Sequence, residues 1–396
     1  MDIIIPLILS STQRPNNPMP SLVALDHSAR KTKAVVIIVV VLTLLGSSVP
    51  ARWSWAEQPT IGGVYEVGIG TTDPLPLIRY WQQFGYRPGP SGELSAAEAL
   101  RLYGVNSRLR SIRLLHQDAD HGLIRLMVWE RPTSEGLGLS HMKVKGNRWG
   151  AMLTADVYNL LNHAEVASSQ GLPVYYVPPQ LAQIYPPERP PTPFLDPLVC
   201  VREMVLIQPL TRQVLFQRFN YQLPLYGRID ESSHFRTSQI THVGMVVQGD
   251  RRLLDFYDHV LGLLRVRDQK VSGDTDPSAR AIFELEPGQW YVSTDFDDPR
   301  SSATDPQKMR SGRLKIIWFP PEVRLEDKLA LSRPGALGYS LYTYRVSSIE
   351  AYHARVKAST ATSVTEIYLN EFGEKSFSFV APDGYFWTLV QQPRHQ

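Results

Sequence analysis

Two stretches of the chain alternate apolar and polar positions in the same way: Val64-Tyr65-Glu66-Val67-Gly68-Ile69-Gly70 and Ile240-Thr241-His242-Val243-Gly244-Met245-Val246. Period two with β-branched residues predicts a strand in each. Both pass through a turn (Asp73-Pro74; Gly249-Asp250) into helical spacing. The first helix carries Leu77, Ile78, Tyr80, Trp81 and Phe84, the second Leu253, Leu254, Phe256, Tyr257, Val260 and Leu261, at i, i+3, i+4 and i+7. Each stops at a glycine, Gly85 or Gly262, the residue that best adopts the left-handed cap. A second pair follows the same logic. A strand at 151–154 leads to a helix over Asp156 to Ser169, and a strand at 339–346 leads to a helix over Ser348 to Ala358. Each is followed by β-rich sequence ending in an aromatic strand, 214–219 and 385–390. A period this long marks internal duplication, in the order module one, module two, module one, module two.

This order predicts lobe one at 60–222 and lobe two at 236–392, joined by a polar linker at 223–235. Within module two, 178–197 holds Pro186, Pro187, Pro190, Pro191 and Pro193. Proline at that density excludes a helix interior or a central strand, so the segment reads as a stiff surface insertion. Asp295, Asp297 and Asp298 read as a solvated acidic turn.

The N-terminus breaks from this pattern. Arg30, Lys31 and Lys33 precede an apolar run from Ala34 to Leu42 that continues through Leu44 and Leu45. A membrane span needs roughly 20 apolar residues, whereas a secretory h-region needs about 7–15. Val49-Pro50-Ala51 and Ser54-Trp55-Ala56 supply small-x-small cleavage patterns. Residues 1–56 are therefore expected to carry a cleaved signal peptide, or else an uncleaved anchor with its basic side inside. On either reading the folded part is exported, to the periplasm or the outer face of a membrane.

Composition narrows the rest. Forty-one basic against 38 acidic residues is too balanced to point to nucleic acid or a membrane surface. A single cysteine, Cys200, excludes an intrachain disulfide and a thiolate zinc cluster. No Gly-x-Ser-x-Gly elbow, phosphate loop or His-Glu-x-x-His helix is present.

The run Thr241-His242-Val243-Gly244-Met245-Val246-Val247, followed by Asp250, Leu253, Phe256-Tyr257 and Val260-Leu261-Gly262-Leu263, resembles the opening of a vicinal-oxygen-chelate module. Ala381-Pro382-Asp383-Gly384-Tyr385-Phe386-Trp387-Thr388-Leu389 resembles the closing turn and strand of that family, and Asp118 to Leu126 is similar in lobe one. The resemblance implies an α+β fold: four βαβββ modules paired into two cup-shaped mixed-sheet lobes, behind the N-terminal signal or anchor. It also implies a divalent metal (Fe, Mn, Zn or Ni), held by about three His or Glu side chains on the first and last strands of the modules.

Position by position, the expected ligands thin out. His242 stands where the family has a metal histidine, but Lys315 and Thr388 fall where further ligands belong, and Ser340 or Leu341 opens module four. In lobe one Glu66 takes the place of His242, Arg125 replaces a glutamate, and Phe216 or Gln217 ends module two. His242 is a metal ligand, a general base or polar ligand contact, or a remnant of the fold. Glu66 is a catalytic candidate, or the partner of an ion pair with Arg125 across the cup. Arg125 and Lys315 are candidates for binding an anionic group where a metal would sit, unless a register shift turns them outward. Thr388 and Trp387 are further ligand-binding candidates; the aromatics near Trp387 read equally as strand core.

Three functions are compatible with this pattern. The first is an exported protein that binds a small organic molecule, anionic or aromatic, without a standard metal triad and without a cofactor. The second is a metal-dependent dioxygenase, lyase or isomerase of the glyoxalase kind, and the third a structural or assembly subunit. The expected partner is a small molecule rather than nucleic acid, with a membrane involved only if the N-terminal segment stays as an anchor.

Overall fold

The computed structural model describes residues 60–184 and 191–393. The signal or anchor segment, with Pro186, Pro187 and Pro190, lies outside the described residues. Among the described residues no helix is long and apolar enough to cross a membrane.

Module one comprises β1 (Ile61–Thr71), α1 (Pro74–Gln82), β2 (Tyr86–Leu94), α2 (Ala96–Tyr103), β3 (Leu109–His116) and β4 (Leu123–Trp129). A two-residue strand, β5 (Val144–Lys145), leads into module two: β6 (Arg148–Thr154), α3 (Val157–Ser169), β7 (Tyr175–Gln183), β8 (Cys200–Ile207) and β9 (Arg212–Phe219). Module three is β10 (Thr237–Gln248), irregular helical turns over Arg251–Leu254 and Phe256–Val260, β11 (Leu264–Ser272), α4 (Pro277–Phe283), β12 (Trp290–Asp297) and β13 (Arg313–Phe319). After the short β14 (Glu326–Asp327), module four runs β15 (Gly338–Val346), α5 (Ile349–Lys357), β16 (Tyr368–Leu369), β17 (Lys375–Val380) and β18 (Phe386–Gln391). Local chemistry sets the helix starts. Asp73 caps α1 by accepting from Leu75 N, with Pro74 at the first helical position, and Ser95 and Glu98 form a reciprocal capping box on α2. Pro178 and Pro179 fall in β7, which is an edge strand where a missing N–H is tolerated.

The four modules form two eight-stranded sheets, and their pairing corrects the expected lobes. One sheet runs β16-β17-β18-β15-β1-β4-β3-β2 and joins modules one and four; the other runs β11-β12-β13-β10-β6-β9-β8-β7 and joins modules two and three. The seams are antiparallel, with Glu66 opposite Thr343 and His242 opposite Ala151. Modules one and two therefore belong to different cups, as do modules three and four. A reciprocal contact locks this arrangement: Val64 N donates to Gly312 O (2.9 Å) and Ile240 N to Gly122 O (3.2 Å). Only glycine fits there. A Cβ on Gly63 would lie 2.7 Å from Gly312 Cα, and one on Gly122 2.0 Å from Ile240 O.

The largest apolar cluster lies on the outer, helix-covered faces and between the cups, and includes Trp81, Tyr257, Tyr342, Tyr344 and Trp387. Smaller clusters fill one end of each cup. In the first cup α2 contributes Ala99, Leu102 and Tyr103; in the second, α4 contributes Ala279, Ile282 and Phe283. Within the stretch 223–235, Leu223 and Tyr226 are buried in the cluster of the second cup.

Candidate functional site: the two cups

Strand alternation puts every second side chain of β1, β3, β4, β15, β17 and β18 into the first cup. Glu66 and Arg125 meet there, both completely buried, with Arg125 Nε 3.1 Å from Glu66 Oε1. The contact is an ion pair rather than an aligned hydrogen bond, as both atoms lack a hydrogen-bond partner. Arg113 completes the carboxylate, its Nε donating to Glu66 Oε2 at 2.8 Å. The far side of the network comes from the turn between β16 and β17. Arg125 Nη1 donates to Tyr103 OH (2.8 Å) and Glu371 Oε1 (3.2 Å), and its Nη2 donates to Thr343 Oγ1 (2.9 Å). Arg113 Nη2 donates to Glu374 Oε2 (2.9 Å), and Arg345 Nη2 donates to the other oxygen of Glu374 (3.3 Å). Burial opposes the charge on Arg125, but Glu66, Tyr103 and Glu371 outweigh it and hold the guanidinium protonated. Thr388 lies in this cup, not beside His242, and shares a hydrogen bond with Ser378 (3.0 Å). The first cup thus binds its own chain.

The second cup differs. His242, Arg313, Lys315, Asp295 and Asp297 occupy alternate positions of β10, β13 and β12, with Asp295 directly opposite Lys315 in register. Arg313 is clasped by Asp297 (Nε to Oδ1 2.6 Å, Nη2 to Oδ2 3.0 Å) and by Asp295 (Nη1 to Oδ2 3.1 Å). The expected solvated turn is therefore a buried cluster, because β12 extends to Asp297 and points Asp295 and Asp297 inward. Lys315 is 3% exposed and makes no hydrogen bond, nor an ion pair within 4.0 Å, among the described residues. Asp295 Oδ1 and Ser293 Oγ are buried without a hydrogen-bond partner. His242 packs between the rings of Phe216 and Tyr226 (centroids 5.6 and 6.2 Å). Its pKa is driven well below the usual imidazole range, first by burial and then by Lys315 and Arg313, so the ring is neutral near pH 7. Burial alone would raise the Asp295 carboxyl, but Lys315, Arg313 and Arg267 prevail and lower it.

Trp387 enters neither cup. It is fully buried on the opposite strand face, stacked on Tyr344 (5.4 Å, 16°) and edge-on to Tyr257. Arg113, Glu371, Glu374, Arg313 and Tyr226 were missed in the sequence. The Asp295-Phe296-Asp297 alternation was the one available signal, since period two in a strand sends both carboxylates to the same face.

The strand positions facing one another across the first cup hold Glu66, Arg125, Thr343 and Thr388. Those of the second hold His242, Lys315, Ala151 and Val214. A divalent cation does not fit either set. The one carboxylate is neutralised by two guanidiniums, and the one imidazole faces two cations. Among the described residues no group of three His, Cys, Asp or Glu side chains is placed to hold an ion.

Residues 239–389, covering modules three and four, match the model of the Glyoxalase/Bleomycin resistance protein/Dioxygenase superfamily. Modules three and four are similar to this superfamily. Modules one and two repeat the same order of elements outside the matched segment. No curated protein matches the chain in sequence. Among solved structures, glyoxalase I from Zea mays is similar over 85% of this chain and 94% of its own, at 14% identity and a TM-score of 0.48. The glyoxalase family protein from Enterococcus faecalis is similar over 38% of this chain and 95% of its own, at 19% identity and a TM-score of 0.25. A superfamily member from Sphaerobacter thermophilus is similar over 38% and 94%, at 16% identity and a TM-score of 0.23.

Proposed function

We propose that this protein is an exported member of the superfamily that binds a small organic molecule with an anionic group in the cup of modules two and three, without a resident metal. The observation that carries this reading is Lys315. A lysine is almost never fully buried unless it is paired, and this one, 3% exposed, has no counter-ion within 4.0 Å among the described residues. A ligand carboxylate or phosphate reaching Nζ would supply the missing partner as a charge-assisted hydrogen bond. Neutral His242, with Phe216 and Tyr226 beside it, offers one polar contact and aromatic walls to the body of the molecule. Export rests on the basic, apolar, small-residue order of residues 30–56.

The first cup supports a structural role instead. Its charges are matched within the chain, and Arg125, held by Glu66, ties module one to Glu371 and Thr343 of module four. Thermal unfolding of the purified protein with benzoate and with inorganic phosphate, beside the Lys315→Met variant, tests the binding reading. A rise in Tm with either probe that is lost in the variant is the expected result. Equal shifts in both proteins would overturn it, as would about one equivalent of divalent metal per chain that disappears in His242→Ala.

A further inference from the structure

Outside both cups, the β3–β4 turn meets the segment before β13 and borders an open polar cleft of about 190 Å³. Its lining includes His116, Asp118, Asp120, His121, Arg228 and Ser311. Three of these residues form a continuous relay, in which Ser311 is 1% exposed and its hydroxyl also lies 3.4 Å from Leu225 O. Asp120 Oδ1 lies 2.6 Å from His121 Nδ1, and His121 Nε2 lies 2.6 Å from Ser311 Oγ. The carboxylate fixes the tautomer with hydrogen on Nδ1, which leaves the Nε2 lone pair facing the hydroxyl. That is the order of atoms by which an aspartate and a histidine activate a serine, and such relays are recognised by geometry rather than by sequence position. The His121 hydrogen bond holds the Asp120 carboxyl down at about 2, so it is ionised at neutral pH.

We propose that Ser311, His121 and Asp120 form a second reaction centre, independent of the cups, which hydrolyses small activated esters. Ser311 Oγ attacks the acyl carbon while its proton passes to His121 Nε2. The new C–O bond forms, and the carbonyl electron pair moves to oxygen. When the carbonyl re-forms, the bond to the leaving alkoxide breaks and His121 returns the proton to it. Water then cleaves the acyl-serine by the same route. No oxidant or second cofactor enters the balance. The Asp120 side chain is 79% exposed, so solvent weakens its hold on His121 and turnover is slow.

The relay could instead be a staple between two loops, and covalent labelling separates the two readings. The full chain is treated with diisopropyl fluorophosphate, whose P–F bond breaks as Ser311 Oγ bonds to phosphorus and fluoride departs. Intact mass and peptide mapping should show one adduct per chain, on Ser311. His121→Gln should slow labelling at least about 100-fold while the thermal unfolding curve shows the protein still folded. Ser311→Ala should abolish it, and wild type should release nitrophenol from 4-nitrophenyl acetate faster than either variant. Absence of an adduct on Ser311 in the wild-type chain would overturn the proposal. So would an unchanged labelling rate in folded His121→Gln.

Discussion

Replacing Glu66 with glutamine should destabilise the first cup sharply, and the second substitution that restores stability identifies how the charges are apportioned. The network joins Arg113, Arg125 and Arg345 to Glu66, Glu371 and Glu374. Removing one carboxylate leaves one buried cation in excess. Breaking a buried pair costs about 3–5 kcal/mol. The lower end applies here, since Arg113 keeps Glu374 and Arg125 keeps Glu371. The two possible rescues are not equivalent. Glu66→Gln with Arg125→Met restores the charge balance, but strips Glu371 of its arginine and leaves it with Tyr103 and Ser111 hydroxyls. Glu66→Gln with Arg113→Met leaves two whole pairs, Arg125 with Glu371 and Arg345 with Glu374. The second double variant should therefore recover about 2 kcal/mol, and the first clearly less. Urea unfolding of the wild type, the three single variants and both doubles measures this. Effects that add within about 0.5 kcal/mol would refute the network as an energetic unit.

Four shorter tests follow. His242 and His116 both have folded-state pKa values below the unfolded value of about 6.5, so the unfolded chain takes up protons that the folded one refuses. Stability should be full above about pH 6.5 and fall as pH drops, by up to about 1.4 kcal/mol per unit for each group, and His242→Gln should flatten the slope measured by urea unfolding. Gly244→Ala should cost about 3 kcal/mol in the same assay, because its Cβ would lie 2.0 Å from Trp149 Cζ2. Mass spectrometry of protein recovered from the periplasm of a bacterial host should find a mature chain beginning near Arg52 or Glu57; unprocessed soluble protein in the cytoplasm would count against export. Residues 60–235 and 236–393 should aggregate when expressed apart and form a soluble complex when co-expressed, since β1 needs β15 and β6 needs β10; a folded monomeric half would contradict this.

The module order was legible because every strand opening alternates and the first helix of each repeat stops at a glycine. The choice of partner was not. A duplicated module presents the same first strand whichever neighbour it joins, and the deciding contacts, Val64 with Gly312 and Ile240 with Gly122, are made between backbones. The Glu66–Arg125 pair could be read because both residues sit at aligned positions of one module. Its other members could not. Glu371 and Glu374 arrive from a turn far along the chain, and α2 and α4, which fill one end of each cup, carried too few turns to announce themselves. Trp387 was weighed as a ligand contact or as core, and one step of strand alternation decides for core.

The contrast between the cups follows from what duplication permits. Two equivalent cavities began with equivalent demands: each removes charged side chains from water, and that cost must be met inside the cup. In the first, Glu371 and Glu374 meet it, and the seam between modules one and four gains a charge-matched network. In the second, the chain clasps Arg313 with two aspartates but leaves Lys315 facing Asp295 without contact. A site held in that condition is less stable alone than with a ligand that completes it, and the difference appears as stabilisation by RT ln(1 + [L]/Kd) when the ligand is present. The first cup holds its charges in direct ion pairs, while the second leaves Lys315 opposite Asp295 without one within 4.0 Å among the described residues. Lys315, rather than the family-type His242, is therefore the residue whose substitution tests the proposed binding reading.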